Sequence, residues 1–128
     1  MLILVDTSIW IDYFRGIGTE LDTLIDDNLV ATNPVILAEL LPAIRLRREH
    51  ELAALLQEVR CLSLDIQWGN LMQMQLQCLQ AGANGIGVAD LLIAQNAQQQ
   101  QCRLYSSDKH FRLMANALAL PVYPELLH

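Results

Sequence analysis

Four acidic residues of this chain lie where the surrounding sequence is apolar, either at the end of a short hydrophobic run or inside one. They are Asp6, Glu39, Asp90 and Asp108. A carboxylate in such a segment is costly to bury unless another group compensates its charge. Any one of them could serve as a helix cap or a surface charge, but four together indicate a shared cation. Hard divalent ions such as Mg²⁺ and Mn²⁺ prefer oxygen ligands of this kind.

The chemistry that such a group of carboxylates supports is metal-assisted hydrolysis. Neighbouring carboxylates raise each other's pKa, and a bound divalent ion removes that repulsion. One or two such ions can orient a water, lower its pKa and stabilise the leaving oxygen of a phosphodiester. His50, His110 and His128 are predicted to be surface residues, and no two of them pair as acid and base. RNA cleavage by a histidine pair is therefore disfavoured, as is a serine hydrolase, because the sequence has no GxSxG elbow.

Short apolar runs alternate with helical patterns along the chain, which predicts a parallel sheet with helices on both faces. The predicted strands are residues 2–5, 29–32, 61–64 and 104–106, with a possible fifth at 122–123. The predicted helices are residues 9–14, 19–27, 45–59, 66–81, 88–101 and 109–118, and another that begins at Asn33 and Pro34. Thr7 or Ser8 is expected to cap the first helix, and Pro42 to end or kink the one that Asn33 begins. Asp6 and Asp108 fall at the carboxyl ends of strands, where ligands bind in such sheets.

The length and composition predict a single domain, residues 1–128, with a substantial core. Hydrophobic residues make up 53% of the chain, above the usual level of about 45–50%, so a partner or dimer surface is expected. No apolar run approaches the roughly 18 residues of a membrane helix, and residues 2–5 are too few for a signal peptide. Three cysteines form neither a zinc nor a disulfide pattern. These features predict a cytoplasmic protein.

The net charge is −6, from 14 acidic and 8 basic residues, whereas nucleic-acid binders are usually basic. A polyanionic substrate would therefore need bound metal and a local basic patch at the site. Arg45, Arg47 and Arg48 form the one dense basic segment, and Lys109, the only lysine, stands beside Asp108. These four are candidate RNA or partner contacts, and the alternative for the arginines is a solvated helix face.

Four sequence segments resemble the motifs of the PIN-domain ribonucleases, specifically the VapC-type toxins of bacterial toxin–antitoxin pairs. Residues 5–16, VDTSIWIDYFRG, are similar to the opening of that family. AELL at 38–41, GVADLLIA at 87–94 and SSDKHF at 106–111 are similar to the remaining motifs, in the family's order. The resemblance implies a three-layer α/β/α sandwich with a central parallel sheet of four or five short strands. It also implies Mg²⁺ or Mn²⁺, endonucleolytic cleavage of RNA such as tRNA or rRNA by metal-bound water, inhibition by a cognate antitoxin, and homodimers.

The resemblance also assigns roles to residues. Asp6, Glu39, Asp90 and Asp108 match the family's catalytic acids, with Asp6, Asp90 and Asp108 as the metal ligands. Ser8 matches the small polar residue that supports the first acid, and Ser106 stands where the family often has threonine. Asn33 stands where a serine is common, and both residue types are good helix caps.

Three other interpretations compete with the nuclease. A Mg²⁺-dependent phosphatase of the haloacid dehalogenase type needs a second Asp two residues after the first, where this chain has Ser8. A response-regulator receiver needs paired acids after the first strand and a phosphoacceptor after the third, where Asp65 is the only acid. The third alternative is a PIN domain without catalytic activity that binds RNA or a protein.

Overall fold

The computed structural model describes residues 1–124, which form a four-stranded parallel sheet covered by helices on both faces, a three-layer α/β/α sandwich. The strands are β1 (Ile3–Val5), β2 (Val30–Thr32), β3 (Arg60–Cys61) and β4 (Arg103–Tyr105), in the order β3-β2-β1-β4. β1 and β2 are buried along their whole length, as expected for parallel strands covered on both faces. The predicted fifth strand is reduced to one bridge, between Leu104 and Val122.

Seven helices occupy the described part of the chain. They are α1 (Thr7–Phe14), α2 (Leu21–Asp26), α3 (Pro34–Leu46), α4 (His50–Glu58), α5 (Trp68–Gln80), α6 (Val88–Gln100) and α7 (Lys109–Leu118). None of the helices in residues 1–124 is both long and apolar enough to cross a membrane.

Three helices begin within four residues of the carboxyl end of a strand, and each has a side-chain cap. Asp6 caps α1 by accepting from the backbone N–H of Ser8, so the predicted cap at Thr7 or Ser8 is wrong by one or two positions. Asn33 caps α3, with Pro34 as its first residue, as predicted. Asp108 caps α7. Helix starts and strand ends therefore meet at one edge of the sheet, where their backbone N–H groups favour negative charge.

The boundary between α3 and α4 differs from the prediction. Pro42 does not end α3, which continues to Leu46, because Leu40 and Ile44 on either side of the proline are both buried in the core. The helix ends instead at residues 47–49, where Arg48 adopts a left-handed backbone conformation with φ of 57°. The predicted helix over residues 45–59 is therefore divided between two helices.

Candidate active site

The direction in which successive strands are added to the sheet reverses at β1. From β1 it proceeds to β2 and β3 on one side, and it then returns to add β4 on the other side. Ligands of open parallel sheets bind at such a switch point, at the carboxyl ends of the strands. Asp6 follows β1 there, and Ser106 and Asp108 follow β4.

Asp6 is held at this point by three donors that all reach the same oxygen. Its side chain is buried, with 4% of the residue exposed. Oδ2 accepts from Ser8 Oγ at 2.8 Å, from Ser106 Oγ at 3.0 Å and from the backbone N–H of Ser8 at 3.3 Å. None of the hydrogen bonds within residues 1–124 reaches Oδ1. One carboxylate oxygen of Asp6 is thus fixed in position by the protein.

The same serines connect the turn after β1 with the turn after β4. Ser106 Oγ accepts from the backbone N–H of Asp108 at 3.0 Å, and Ser8 Oγ accepts from that of Ser107 at 3.1 Å. The Asp108 carboxylate in turn accepts from the backbone N–H of His110 at 2.9 Å. These bonds fix the positions of Asp6 and Asp108 relative to each other.

Asp90 and Glu39 reach this edge of the sheet from two further helices. Asp90 lies half-buried in the first turn of α6, and Glu39 lies on an exposed position of α3. Burial raises the pKa of Asp90, and the charges of Asp6 and Asp108 raise it further, while the backbone of Gly87 and the charge of His110 lower it. Although Glu39 as a residue is exposed, partial desolvation of its carboxyl raises the pKa of Glu39, and the charges of Asp6 and Asp90 raise it further. Each of the four predicted acids therefore lies close enough to at least one other for their charges to interact.

The four carboxylates are neighbours, but they do not form a closed set of ligands. Within residues 1–124, no three histidine, cysteine or acidic side chains converge closely enough to hold a metal ion. The pKa values of Asp90 and Glu39 are raised first by burial and then by repulsion from the neighbouring acids. The donor set nevertheless fits Mg²⁺ or Mn²⁺ in its chemistry, since every predicted ligand is a carboxylate oxygen. The buried Thr7 hydroxyl beside Glu39 lowers the pKa of that acid without reaching hydrogen-bond geometry, and it has no partner among the described residues.

His110 lies close to this group of acids, although no sequence pattern assigned it a role. Its Nδ1 lies 3.5 Å from Oδ1 of Asp108, and its side chain is 54% exposed. A Cβ at Gly85 would lie 3.8 Å from Nε2 of the same imidazole. The loop before α6 therefore meets the start of α7 at His110, next to Asp108 and Asp90. The only local signal for this residue is its position two residues after an acid that caps a helix.

Two buried asparagines connect the helices that carry Glu39 and Asp90. Nδ2 of Asn33 donates to Oδ1 of Asn96 at 2.9 Å, and Nδ2 of Asn96 donates to the backbone carbonyl of Ser63 at 2.9 Å. Asn33 and Asn96 are 0% and 1% exposed. Since buried amides need partners, this pair constrains where α3 and α6 lie relative to each other. Asn96 had no functional signal in the sequence.

Only one arginine of the basic segment, Arg47, lines a groove near the acids; Arg45 and Arg48 do not. This open groove of about 220 Å³ lies between α1 and α3, and Glu39 and Arg15, which follows α1, also line it. Lys109 is exposed beside Asp108. A second cavity of about 220 Å³ lies between α7 and residues 122–124, but of the predicted site residues only Ser106 lines it.

Comparison with solved structures shows the same fold. A chain of VapBC2 from Rickettsia felis aligns with a TM-score of 0.69 and 20% identity, over 95% of this chain and 97% of that chain. FitAcB from Neisseria gonorrhoeae gives 0.68 and 22%, over 95% and 96%. PAE2754 from Pyrobaculum aerophilum gives 0.61 and 14%, over 93% and 96%. At these identities the likeness shows the fold alone.

The family is shown by the sequence itself. None of the curated protein sequences compared with this chain matches it significantly. Residues 3–117, however, match the profile of the PIN domain. That range includes all four acids and all four strands, and the match confirms the family resemblance that the motifs indicated. The chain belongs to the PIN-domain family.

Proposed function

We propose that this protein is a metal-dependent endoribonuclease and the toxin of a toxin–antitoxin pair, with Asp6, Glu39, Asp90 and Asp108 as its catalytic residues. One observation carries the proposal. Carboxylates from four separate elements share one electrostatic field at the switch point of the sheet. Within the described residues, the only ion pair made by these acids is the one between Asp108 and His110, and their hydrogen-bond donors are hydroxyl and amide groups. Such an arrangement favours binding of a divalent cation.

Asp6, Asp90 and Asp108 would hold Mg²⁺ or Mn²⁺. When bound, the ion would supply the charge that activates a water and stabilises the leaving oxygen of a phosphodiester. Ser8 and Ser106 orient Asp6 by fixing its Oδ2. Glu39, whose pKa is raised, is suited to accept a proton, because a base works best when its pKa approaches the working pH.

The family assignment favours a nuclease over the phosphatase and receiver alternatives, which belong to other families. Ser8 also speaks against a phosphatase, because this residue supports Asp6 through a hydrogen bond where a phosphatase needs a second acid. A PIN domain without activity remains the alternative, and a cleavage assay distinguishes the two.

The antitoxin partner is supported by the resemblance to VapC-type toxins and by the proteins that share the fold. The crystal structure of VapBC2 from Rickettsia felis contains a DNA fragment from their promoter, and the structure of FitAB is bound to the IR36 DNA fragment. The net charge of −6 also suits a protein partner that carries basic residues, because opposite potentials steer association.

The test is cleavage of structured RNA by the purified protein, free of antitoxin. We expect cleavage with Mg²⁺ or Mn²⁺ and none in EDTA. Asp6→Asn and Asp90→Asn should each reduce the rate by at least about 100-fold, the upper range for losing an outer-shell partner of a metal site. Asp27→Asn is the matched control, because Asp27 is exposed at the end of α2. Full activity in EDTA, or in Asp90→Asn, would exclude this function.

A further inference from the structure

The cavity of about 220 Å³ between α7 and residues 122–124 takes no part in the chemistry proposed for the acids. We call it the α7 cavity. The residues that line it include Ser106, Phe111, Arg112, Ala115, Asn116 and Tyr123. Its volume is below the roughly 300–1,000 Å³ of pockets for drug-sized ligands, so it suits a smaller group, of the size of one nucleobase.

The α7 cavity adjoins the group of acids. Ser106 lines the cavity, and its Oγ also donates to Oδ2 of Asp6 at 3.0 Å. Phe111 and Arg112 lie within four residues of Asp108, which caps α7. A nucleotide whose phosphate lies at Asp6 and Asp108 can therefore place its base in the cavity.

The aromatic walls of the cavity are held in place by the protein. The hydroxyl of Tyr123 donates to the carboxylate of Glu20, and its ring packs edge-on against Tyr105 with the ring centroids 5.2 Å apart. The backbone N–H of Tyr123 donates to the carbonyl of Leu104 at 2.8 Å. Phe111 is buried in the core. A ligand that enters a cavity with such walls does not have to order them, which favours binding.

Two polar side chains on the lining are available to a ligand. Arg112 and Asn116 lie four residues apart on α7, so they share one side of the helix. Both are exposed, and neither forms an ion pair or a side-chain hydrogen bond within residues 1–124. The guanidinium offers only donors, whereas the amide can both donate and accept.

We propose that the α7 cavity binds a guanine base of the RNA next to the phosphodiester that is cleaved, an inference that rests on the proposed nuclease function. The donors of Arg112 match the O6 and N7 acceptors of guanine, whereas adenine presents an amino donor in place of O6. Unpaired bases stack on aromatic side chains such as Phe111 and Tyr123. An acidic group of a protein partner could also pair with Arg112, but it would not use the aromatic walls.

The test compares how tightly two RNAs of five nucleotides bind to the Asp90→Asn protein in Mg²⁺. One RNA has guanine at its centre between adenines, and the other consists of adenines alone. The guanine RNA should bind at least about 5-fold more tightly, the lower limit for a specific arginine–guanine contact. An RNA with 7-deazaguanine, which lacks the N7 acceptor, should lose part of this preference.

Arg112→Gln in the same background should abolish the preference for guanine. Arg45→Gln is the matched control, because it makes the same change in charge at an exposed residue outside the cavity, and it should keep the preference. Ala115→Leu adds side-chain volume to the cavity lining and should also abolish the preference, with the melting temperature as the check that it folds. Because the preference is a ratio of two affinities, a general loss of RNA binding does not imitate the result.

Equal affinity of the parent protein for the two RNAs, or binding to neither, would overturn the inference and favour an acidic group of a protein partner in the cavity. A guanine preference that survives Arg112→Gln, or that Arg45→Gln abolishes, would overturn it too. Failure of the nuclease proposal is seen separately. A wild-type protein that prefers guanine but cleaves no RNA would keep this assignment of the cavity and lose the catalytic one.

Discussion

At the scale of single residues, the site combines one carboxylate that hydrogen bonds hold in place with two whose ionised form the surroundings disfavour. Asp6 accepts three hydrogen bonds on one oxygen. Asp90 and Glu39 instead have raised pKa values, first through burial and then through the charges of their acidic neighbours. Residues that serve function commonly reduce stability in this way.

Asp90→Asn should therefore make the metal-free protein more stable while it abolishes cleavage. The neutral amide removes the repulsion from Asp6 and Asp108. After allowance for solvent screening, the gain in unfolding free energy should be about 0.5 kcal/mol, or roughly 2 °C in melting temperature for a domain of this size. Differential scanning calorimetry in EDTA at neutral pH measures this difference.

The pH dependence provides the control for Asp90→Asn. A carboxyl whose pKa is raised in the folded state favours folding below its unfolded pKa and loses that contribution as the pH rises through its folded pKa. The gain in unfolding free energy from Asp90→Asn should therefore be largest at neutral pH. It should shrink as the pH falls towards 3.8, the ordinary pKa of an aspartate. A lower melting temperature than wild type at neutral pH would show that Asp90 is a structural residue.

The positions of Asp6 and Asp108 at strand ends could be predicted from the local sequence pattern, and those of Ser8 and Ser106 beside them from the family resemblance. His110 and Asn96 could not. His110 lies near the acids because the loop before α6 meets α7, and Asn96 matters because it bonds to Asn33, 63 residues away. Contacts over such separations depend on tertiary packing, which no local pattern encodes.

At the scale of elements, α3 carries Glu39 and contains a proline in its interior. Pro42 is exposed, and a proline inside a helix is about 3 kcal/mol less favourable than alanine. Part of this free-energy cost is offset because proline also reduces the conformational entropy of the unfolded chain. Pro42→Ala should therefore raise the unfolding free energy by about 2 kcal/mol in urea denaturation, with an unchanged slope. Decreased stability would mean that the packing of Leu40 and Ile44 requires the proline.

The groove between α1 and α3 gives the basic residues different expected roles. Arg15 and Arg47 line it together with Glu39, so they can contact RNA phosphates next to the cleavage site. Changing both to Gln should reduce the slope of log binding constant against log salt by about 0.7 for each lost contact with single-stranded RNA. Salt titrations should use the Asp90→Asn background, in which RNA stays intact.

The double variant that combines Arg45→Gln with Arg48→Gln is the matched control for this comparison. It makes the same change in charge, but neither residue lines the groove. Its salt slope should stay near that of the parent protein. Equal slopes for the two double variants would show that the groove does not hold RNA. The cleavage position should not move in either case, because phosphate contacts position RNA without reading its sequence.

Most elements could be predicted from hydrophobic periodicity and capping residues, and α7 was predicted with its observed limits. The boundary between α3 and α4 could not be predicted. Pro42 is the stronger helix-ending signal in the sequence, but the helix ends at the left-handed turn formed by Arg48. The third strand was predicted at residues 61–64 but lies at Arg60–Cys61, because Leu62 is buried and continues the apolar run beyond the two residues that pair.

At the scale of the whole molecule, the net charge of −6 and the acidic site both favour a basic protein partner. Expression of the chain alone in bacteria should arrest growth, and a small neighbouring gene should relieve the arrest. Asp90→Asn should be harmless at equal expression. Growth measured after induction of each version tests this. Normal growth with a protein shown to be folded and active would contradict the toxin role but not the nuclease.

The most direct measurement of the central claim is the chemistry of the ends that cleavage leaves. Attack by water on the phosphodiester, supported by carboxylates and a divalent ion, leaves a 5′-phosphate and a 3′-hydroxyl. Attack by the RNA's own 2′-hydroxyl leaves a 2′,3′-cyclic phosphate and a 5′-hydroxyl. Mass spectrometry of the cleaved RNA, together with sequencing of its new 5′ ends, distinguishes the two. We predict 5′-phosphate ends in Mg²⁺ or Mn²⁺, and cyclic phosphate ends would contradict the assignment of Asp6, Glu39, Asp90 and Asp108 as the catalytic residues.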